Sequence, residues 1–298
     1  MAKANNFGDL PRIYCRPDDS RIVIVPVPYD RTSTWIKGAN KGPSAIIEAS
    51  SNMELYDIET DSEVYRHGIF TDRPIGRLKD LPPEGMVDAV RQRVLRHIKK
   101  DKFVVVIGGE HSVSIGAINA HVKEYAGLTV LQLDAHADLR DEYEGSKYNH
   151  ACVMARVKEL CPIVQVGIRS MDISEKQYLD ERRVFFAERI LGGKGWIQNI
   201  IALLSSKVHI TIDLDVFDPS VMPSTGTPEP GGLLWCDVLK LLKAVCAARN
   251  VVGFDVVELC PNEKNKSPDF LAAKLIYKLL SYKFRGENEE EGLSQRSG

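Results

Sequence analysis

Two short segments place acidic and imidazole side chains at alternate positions. "DAHAD" carries Asp134, His136 and Asp138, and "DLD" carries Asp213 and Asp215. Alternate residues of an extended chain project from the same face, so each segment presents its polar side chains together. Carboxylates crowded in this way cost several kcal/mol for each unpaired ion unless cations offset them. The spacing therefore predicts bound metal.

The donor types indicate which metal would bind. The four aspartates contribute about four negative charges, which two divalent cations would neutralise. With His136, and with His111 from "GGEHS", the predicted ligands are carboxylates and imidazoles without thiolate. This set favours two Mn²⁺ ions, with Co²⁺, Fe²⁺ or Zn²⁺ as alternatives, over calcium or a structural zinc. Such a pair can activate a water molecule near neutral pH.

Each of these residues also has an ordinary structural interpretation when it is considered alone. His111 precedes Ser112, which is a good helix cap, so it could simply mark a helix entry. Asp134 and Asp138 could be turn or capping residues. The combination of both motifs favours the metal interpretation over six coincidental structural residues.

The strands and helices around the motifs indicate how they are positioned. β-branched runs beginning at residues 21, 103, 128, 163, 208 and 251 are predicted strands, and helical patterns begin at 87, 196, 236 and 269. This alternation predicts a mainly parallel sheet with helices on both faces. Four of the strands end in "GGEHS", "DAHAD", "DLDVFDP" and "VVELCP". Ligands bind at the carboxyl ends of such strands, so we expect these motifs to meet at one edge.

Composition excludes several classes of partner. The chain has 298 residues, 44% of them hydrophobic, and a formal charge of -2 from 39 basic and 41 acidic residues. This balance gives no general attraction to nucleic acid or to anionic membranes, and no apolar stretch approaches the about 20 residues of a membrane span. A small-molecule substrate is therefore favoured.

Cysteine use and the termini complete the prediction of organisation. The six cysteines include no C-x-x-C pair, and the chain opens without an apolar signal segment, so we predict reduced thiols in a soluble, cytoplasmic protein. No linker rich in Pro, Gly or Ser divides the chain. We predict one domain over residues 1–284 and a disordered, charged tail over 285–298.

The motifs together resemble a known family. "GGEHS", "DAHAD" followed by "NHACVM", "ITIDLDVFDPSVMPSTGTPEPGG" and "GFDVVEL" occur in the order and spacing typical of the ureohydrolases, which include the arginases and agmatinases. The similarity runs from about Ile22 to Leu280. It implies a three-layer α/β/α fold with a central, mainly parallel sheet, and a two-manganese site that hydrolyses a guanidinium group to urea and an amine. It also implies a homo-oligomer, a trimer or hexamer.

The resemblance implies a role for each matching residue. The ligands of one metal would be His111, Asp134, Asp138 and Asp213. Those of the other would be Asp134, His136, Asp213 and Asp215, so that Asp134 and Asp213 bridge. His150 matches the histidine that handles protons and Glu258 the glutamate that binds the guanidinium, and Asp138 is also predicted to take part in catalysis.

These roles agree with elementary chemistry. A guanidinium is planar and cationic, so a carboxylate such as that of Glu258 can hold its edge through paired, charge-assisted hydrogen bonds. The departing amine must gain a proton, and a histidine with a pKa near neutral, such as His150, can supply it.

The identity of the guanidino substrate depends on a less specific segment. Arginases carry an "SGN" stretch that grips the α-carboxylate, whereas this chain has "LRDEYEGSKYNHACV". Its acids Asp141, Glu142 and Glu144 suit a cationic amine, which predicts hydrolysis of agmatine to putrescine and urea. "NHACVM" stands where many agmatinases have "SHGTMF", and "PYDRTSTW" replaces a Gly-rich segment. Aminopropylagmatine, guanidinobutyrate, guanidine and arginine therefore stay open as substrates.

Three rival functions are weaker. A catalytically silent, metal-binding relative would be favoured by the loss of a ligand or of Glu258, and all are present. A two-metal phosphoesterase should place basic side chains near the metals, and Arg140 is the only one within the metal motifs. An amide deacetylase on a related fold typically uses one zinc and a tyrosine, whereas the two aspartate motifs indicate two metals.

Overall fold

In a computed structural model of the chain, which describes residues 6–287, the centre is a single parallel sheet. Its strands are β1 (Ile22–Val27), β2 (Ile69–Thr71), β3 (Phe103–Gly108), β4 (Thr129–Leu133), β5 (Ile163–Ile168), β6 (Val184–Phe186), β7 (Lys207–Asp213) and β8 (Asn250–Val257). The spatial order is β2-β1-β3-β8-β7-β4-β5-β6, and every neighbouring pair is parallel. The predicted strands are confirmed, and the sheet is wholly rather than mainly parallel.

Helices cover both faces of this sheet. They are α1 (Gly42–Ser50), α2 (Pro83–Ile98), α3 (Val113–Glu124), α4 (Val153–Lys158), α5 (Ala187–Gly192), α6 (Trp196–Leu203), α7 (Trp235–Ala248) and α8 (Ser267–Lys283). Successive residues of β1 alternate between two hydrophobic cores. Ile22 and Ile24 pack in the core with α8, and Val23 and Val25 pack in the core with α2. Because both faces are covered, the strands are mostly apolar and almost wholly buried, as the three-layer prediction requires.

The helices that begin near 87, 196, 236 and 269 are confirmed, but several elements were not predicted. Strands β2 and β6 have three residues each and lie at the two edges of the sheet. Such short segments contain too little periodicity to be recognised. Helices α1, α3, α4 and α5 were also missed, and α3 follows "GGEHS" directly.

The chain end is only partly described. Residues 285–287 of the predicted tail form a turn, and Glu287 Oε2 lies 2.5 Å from Arg21 Nη2. The remaining residues of that predicted tail lie outside the described ones. Between residues 6 and 287, no helix combines the length and apolar character needed to cross a bilayer.

A close approach between β1 and β3 depends on glycine. The N–H of Gly109 donates to the carbonyl of Val27 at 2.9 Å. A Cβ atom built on Gly109 would lie 1.9 Å from the carbonyl oxygen of Tyr29, which is backbone and cannot move aside as a side chain would. Only glycine therefore lets the chain leave β3 at this point, two residues before His111.

We expect Gly109→Ala to lower the free energy of unfolding by about 1–3 kcal/mol or more, because the added methyl overpacks a backbone contact. Gly76→Ala is the matched control, since a Cβ there meets nothing within 4 Å. Urea unfolding of both variants measures the difference. Equal midpoints for the two variants would contradict the steric explanation.

Candidate metal centre

Four adjacent strands deliver their terminal residues to the same edge of the sheet. Asp134 directly follows β4, Asp213 ends β7, Glu258 directly follows β8, and His111 lies shortly after β3. These strands are neighbours in the order β3-β8-β7-β4. The structure thus brings the four polar motifs together at the centre of the carboxyl edge, where the loops are free of the sheet's hydrogen bonding.

Backbone hydrogen bonds hold one oxygen of three aspartates. Asp213 Oδ1 accepts from the N–H of Asp215 at 2.9 Å. Asp215 Oδ1 accepts from the N–H of Ala135 at 2.9 Å. Asp134 Oδ1 accepts from the N–H of His136 at 2.6 Å. These bonds orient the carboxylates, and on Asp213 and Asp215 they leave the second oxygen directed toward a histidine.

His111 is held from behind and presents a free nitrogen to the carboxylates. Its Nε2 lies 2.9 Å from Thr211 Oγ1, and Thr211 donates its own hydrogen to Asp255 Oδ1 at 2.6 Å. Nε2 must therefore carry the hydrogen, which leaves the lone pair on Nδ1. Nδ1 lies at 3.0, 3.0 and 3.5 Å from the Oδ2 atoms of Asp134, Asp138 and Asp213 respectively.

The environment of His111 Nδ1 fits a metal ligand. The atom is buried and has no partner with hydrogen-bond geometry among the residues that the structure describes. Burial opposes protonation of the ring, but the charges of Asp134 and Asp138 outweigh it and raise the pKa of His111 well above its usual value. A bound cation would replace that proton and give the lone pair a partner.

His136 faces the second part of the cluster. Its Nδ1 lies 2.9 Å from Asp215 Oδ2 and 3.7 Å from Asp134 Oδ1. Its Nε2 lies 3.6 Å from Glu229 Oε1 on the outer side. Burial lowers the pKa of His136, but the Asp215 carboxylate outweighs burial, and the pKa rises to about 10.

The donor atoms form two overlapping groups that could each hold a cation. One consists of His111, Asp134 and Asp213. The other consists of Asp134, His136 and Asp215. Within each group the ligand atoms lie within 4.8 Å of one another, and Asp134 belongs to both. Asp213, which was also predicted to bridge, belongs only to the first group.

Burial and like charge act together on the acids. Burial raises the pKa of Asp134, with the charge of Asp215 adding to it, and burial with Asp134 does the same to Asp138. The pKa of Asp213 lies well above its usual value for similar reasons. Asp215 differs, because His136 outweighs burial and lowers its pKa to about 2. Without cations, the cluster therefore retains protons that ordinary carboxylates have lost.

Two of the acids have unusual backbone conformations. Asp138 has φ 52° and Glu258 has φ 68°, in the left-handed region that favours glycine. Such a conformation costs about 1–3 kcal/mol and persists where the surrounding structure enforces it. For Glu258 that surrounding includes the N–H of His111, which donates to its Oε1 at 2.6 Å. Burial and the neighbouring charge of Glu110 raise the pKa of Glu258 to about 8.

A cavity of about 320 Å³ opens above the cluster. Its lining residues are Thr34, His111, His136, Asp138, Arg140, Tyr143, His150, Ala151, Ser170, Met171, Asp172, Glu175, Asp213, Asp215 and Thr227. His150 lies in the wall of this cavity, and burial lowers its pKa. Glu258 is buried and is not one of the lining residues within the described chain.

The three acids predicted to face the substrate amine lie elsewhere. The exposed carboxylate of Asp141 lies 2.5 Å from Arg156 Nη2 and 3.3 Å from Lys147 Nζ. Glu142 and Glu144 are exposed, and none of the three lines the cavity. Their sequence position beside "DAHAD" was misleading, because the turn in this segment directs them outward. The geometry gives no support to these three contacts.

Two other acids occupy the cavity wall. Asp172 and Glu175 follow strand β5, in "RSMDISE". Both oxygens of Glu175 accept backbone N–H groups, from Leu139 at 2.7 Å and from Asp172 at 2.6 Å. Asp172 Oδ2 lies 3.5 Å from Arg140 Nη2. Sequence analysis missed both acids, although the rule of polar strand endings, extended to β5, would have found them.

We expect the stability of the metal-free protein to fall between pH 6 and pH 8. The pKa of Glu258 is about 8 in the native protein against 4.5 ordinarily, and that of His136 about 10 against 6.5. The native state therefore binds more protons than the unfolded chain, and each rise in pH favours unfolding, by at most about 4 kcal/mol over this range.

Urea unfolding with EDTA at both pH values measures this loss. With excess Mn²⁺ the loss should disappear, because cation binding displaces the protons and is itself stronger at higher pH. A metal-free protein that is equally stable at pH 6 and pH 8 would contradict the electrostatic description of the cluster.

Comparison with known proteins agrees with this geometry. A family model described as the Arginase family matches residues 20–281. The N(1)-aminopropylagmatine ureohydrolase of Synechocystis sp. is 39% identical, over 98% of this chain and 100% of the relative. The agmatinase of Pyrococcus horikoshii is 30% identical, over 90% and 93%. The crystal structure of the agmatine ureohydrolase of Thermoplasma volcanium superposes with a TM-score of 0.79 at 29% identity, covering 100% and 96%. The chain belongs to the Arginase family.

Proposed function

We propose that this protein is a ureohydrolase that holds two divalent cations, Mn²⁺ in the first place, and cleaves the guanidinium group of a small cationic substrate. The observation that carries the proposal is the pair of overlapping donor groups that share Asp134 beneath the cavity. One cation would be held by His111, Asp134, Asp138 and Asp213. The other would be held by Asp134, His136, Asp213 and Asp215.

The protein side chains divide the remaining work. Two bound cations would supply Lewis-acid activation of water. The carboxylate of Glu258, two strands from β4 and fixed by the N–H of His111, would bind the edge of the guanidinium through charge-assisted hydrogen bonds. Its raised pKa falls once a cation is beside it, so the carboxylate is ionised when substrate binds.

His150 would handle the proton that the departing amine requires. Its imidazole lines the cavity, and burial lowers its pKa, so it is neutral at pH 7 and can accept a proton there. Asn149 caps the short turn that carries it by accepting from the N–H of Ala151 at 3.1 Å. The ring is therefore supported by a fixed backbone.

The charges of the cavity wall favour a substrate with a far amine. Asp172 and Glu175 are acidic, and Arg140 offsets only part of their charge. Agmatine, with a guanidinium at one end and an amine at the other, fits this field. N1-aminopropylagmatine is the second candidate, because the relative of that name is more similar to this chain than the agmatinase is, at 39% against 30% identity.

Urea release from a panel of guanidino compounds, with and without Mn²⁺, tests the proposal. The panel consists of agmatine, N1-aminopropylagmatine, guanidinobutyrate, guanidine and arginine. We expect about a tenfold or greater preference in kcat/KM for agmatine or its aminopropyl derivative over arginine. No urea from any compound at full metal loading would refute the function. Equal rates with arginine would refute only the preference for a cation. The predicted trimer or hexamer stays a prediction that analytical ultracentrifugation can test.

The metal and proton roles are separable by mutation. We expect Asp213→Ala to reduce the bound metal to less than half, because both cations would lose a shared ligand. His150→Asn should retain both metals and lower kcat about a hundredfold, which is typical of lost acid–base catalysis. Elemental analysis and urea assays distinguish the two effects. Loss of metal from His150→Asn, or turnover at the wild-type rate, would show that its role is not proton transfer.

The acid that faces the substrate amine is also identifiable. We expect Asp172→Asn to raise KM for agmatine about threefold, because an exposed charge pair with the substrate amine would be lost. The amide keeps an Oδ1 acceptor for the N–H of Ser174, so the local turn is preserved. Asp141→Asn is the matched control, since Asp141 is exposed and outside the cavity. An equal change in both variants would exclude a specific contact.

A further inference from the structure

The hydroxyl oxygen of Thr32 contacts two nitrogens of His150, the backbone nitrogen and the ring Nδ1. Thr32 Oγ1 accepts the backbone N–H of His150 at 3.0 Å. The same oxygen lies 3.3 Å from Nδ1 of the His150 ring. Thr32 belongs to the segment "PYDRTSTW", which contributes neither a predicted metal ligand nor a charge in the cavity wall. One hydroxyl therefore contacts both the backbone and the side chain of the proposed proton-handling residue.

A buried carboxylate fixes the orientation of this hydroxyl. Thr32 donates its hydroxyl hydrogen to Glu110 Oε1 at 2.5 Å. Glu110 is fully buried, and it also accepts the N–H groups of Thr32 and Ser33 at 2.6 and 2.9 Å. The hydroxyls of Ser33 and Ser112 donate to it at 3.3 and 2.5 Å. The loop is thus attached to the segment that precedes His111, and the Thr32 hydroxyl cannot rotate without losing a strong bond.

The hydrogen-bond balance at Thr32 determines the state of the imidazole. A hydroxyl has one hydrogen and two lone pairs. The hydrogen goes to Glu110, and one lone pair accepts the N–H of His150. With Glu110 ionised, only a lone pair of Thr32 is left for Nδ1, so Nδ1 is the donor. The neutral ring then carries its hydrogen on Nδ1 and leaves Nε2 unprotonated.

We propose that Thr32 is a positioning residue that holds His150 in the Nδ1–H tautomer, so that Nε2 is the nitrogen that receives and returns the proton in the cavity. The proposal rests on the proposed role of His150. A neutral histidine that carried its hydrogen on Nε2 would have no basic nitrogen for the cavity, and would leave Nδ1 facing a lone pair of Thr32. Thr32 and Glu110 together thus select which ring nitrogen is basic.

The tautomer can be measured without any assay of activity. Protein labelled with ¹⁵N-histidine is loaded with Zn²⁺, since Mn²⁺ would broaden the spectrum, and His150→Asn identifies the resonances of His150. We expect the neutral His150 ring of the wild type to carry its hydrogen on Nδ1. A hydrogen on Nε2 would overturn the proposal. This measurement is independent of the proposed function, which the urea panel decides separately.

Three variants connect the tautomer to turnover. Thr32→Val removes the hydroxyl with little change in shape, and it should shift His150 toward the Nε2–H form and lower kcat about tenfold, with KM within about twofold and metal content unchanged. Thr32→Ser restores the hydroxyl and should recover most of kcat. Ser33→Ala is the matched control, because Ser33 donates to the same carboxylate without contacting His150.

The outcomes are distinct. Wild-type turnover and tautomer in Thr32→Val would refute the positioning role. An equal loss of kcat in Ser33→Ala would mean that turnover depends on the attachment of the loop to Glu110 and not on the contact of the Thr32 hydroxyl with His150. That outcome would also refute the proposal. If Thr32→Val does not fold, the proposal is tested by the wild-type tautomer and by the kcat of Thr32→Ser. A Thr32→Ser variant whose kcat is as low as that of His150→Asn would contradict the proposal.

Discussion

Mutual repulsion among buried carboxylates is the constraint on which the rest of this structure depends. Asp134, Asp138, Asp213 and Asp215 are all buried and lie around two histidines at the centre of the sheet edge. Grouping these acids does not stabilise the fold, because burial and like charge both oppose their ionisation. The arrangement is stable only with protons or cations among the acids. The surrounding structure holds these acids together against that repulsion.

That support has the same form at several points. Each side chain that faces the metal cluster is held by a hydrogen bond from a second residue behind it. The direction of that hydrogen bond determines which atom of the side chain is available to the cluster. Asp255 receives the hydrogen of Thr211, so Nε2 of His111 is the donor to Thr211 and Nδ1 is the nitrogen left to face the aspartates. Arg169 donates from Nη2 to the carbonyls of Asp215 and Glu229, at 2.6 and 2.8 Å, and ties together the two loops beside His136. The chemistry is thus determined by neutral and backbone groups as much as by the charged ones.

The predictable part of the site is the part that is local in sequence. "DAHAD" and "DLD" reveal their convergence because each follows the end of a buried apolar run, although the expected alternation along a strand is wrong: β4 ends at Leu133, and Leu214–Val216 form a 3-10 turn. The outer wall of the cavity is different. Asp141 pairs with Arg156, which lies beyond a full loop and the start of α4. No periodicity in the sequence predicts this ion pair, which holds Asp141 outside the cavity. The supports of His111 and His150 come from Thr211 and Thr32, which are ordinary residues in sequence. The short strands β2 and β6 likewise owe their existence to the longer strands beside them.

The place of β8 in the sheet has a consequence for biosynthesis. Strands β1 to β3 form one half of the sheet and β4 to β7 the other, and only β8, near the end of the chain, pairs with both halves. Until β8 is available, β3 and β7 each have an edge of unpaired backbone N–H and C=O groups, of the kind that invites aggregation. His111 then belongs to one half, and the aspartates to the other. A nascent chain therefore cannot assemble the centre until β8 is available to pair with both halves.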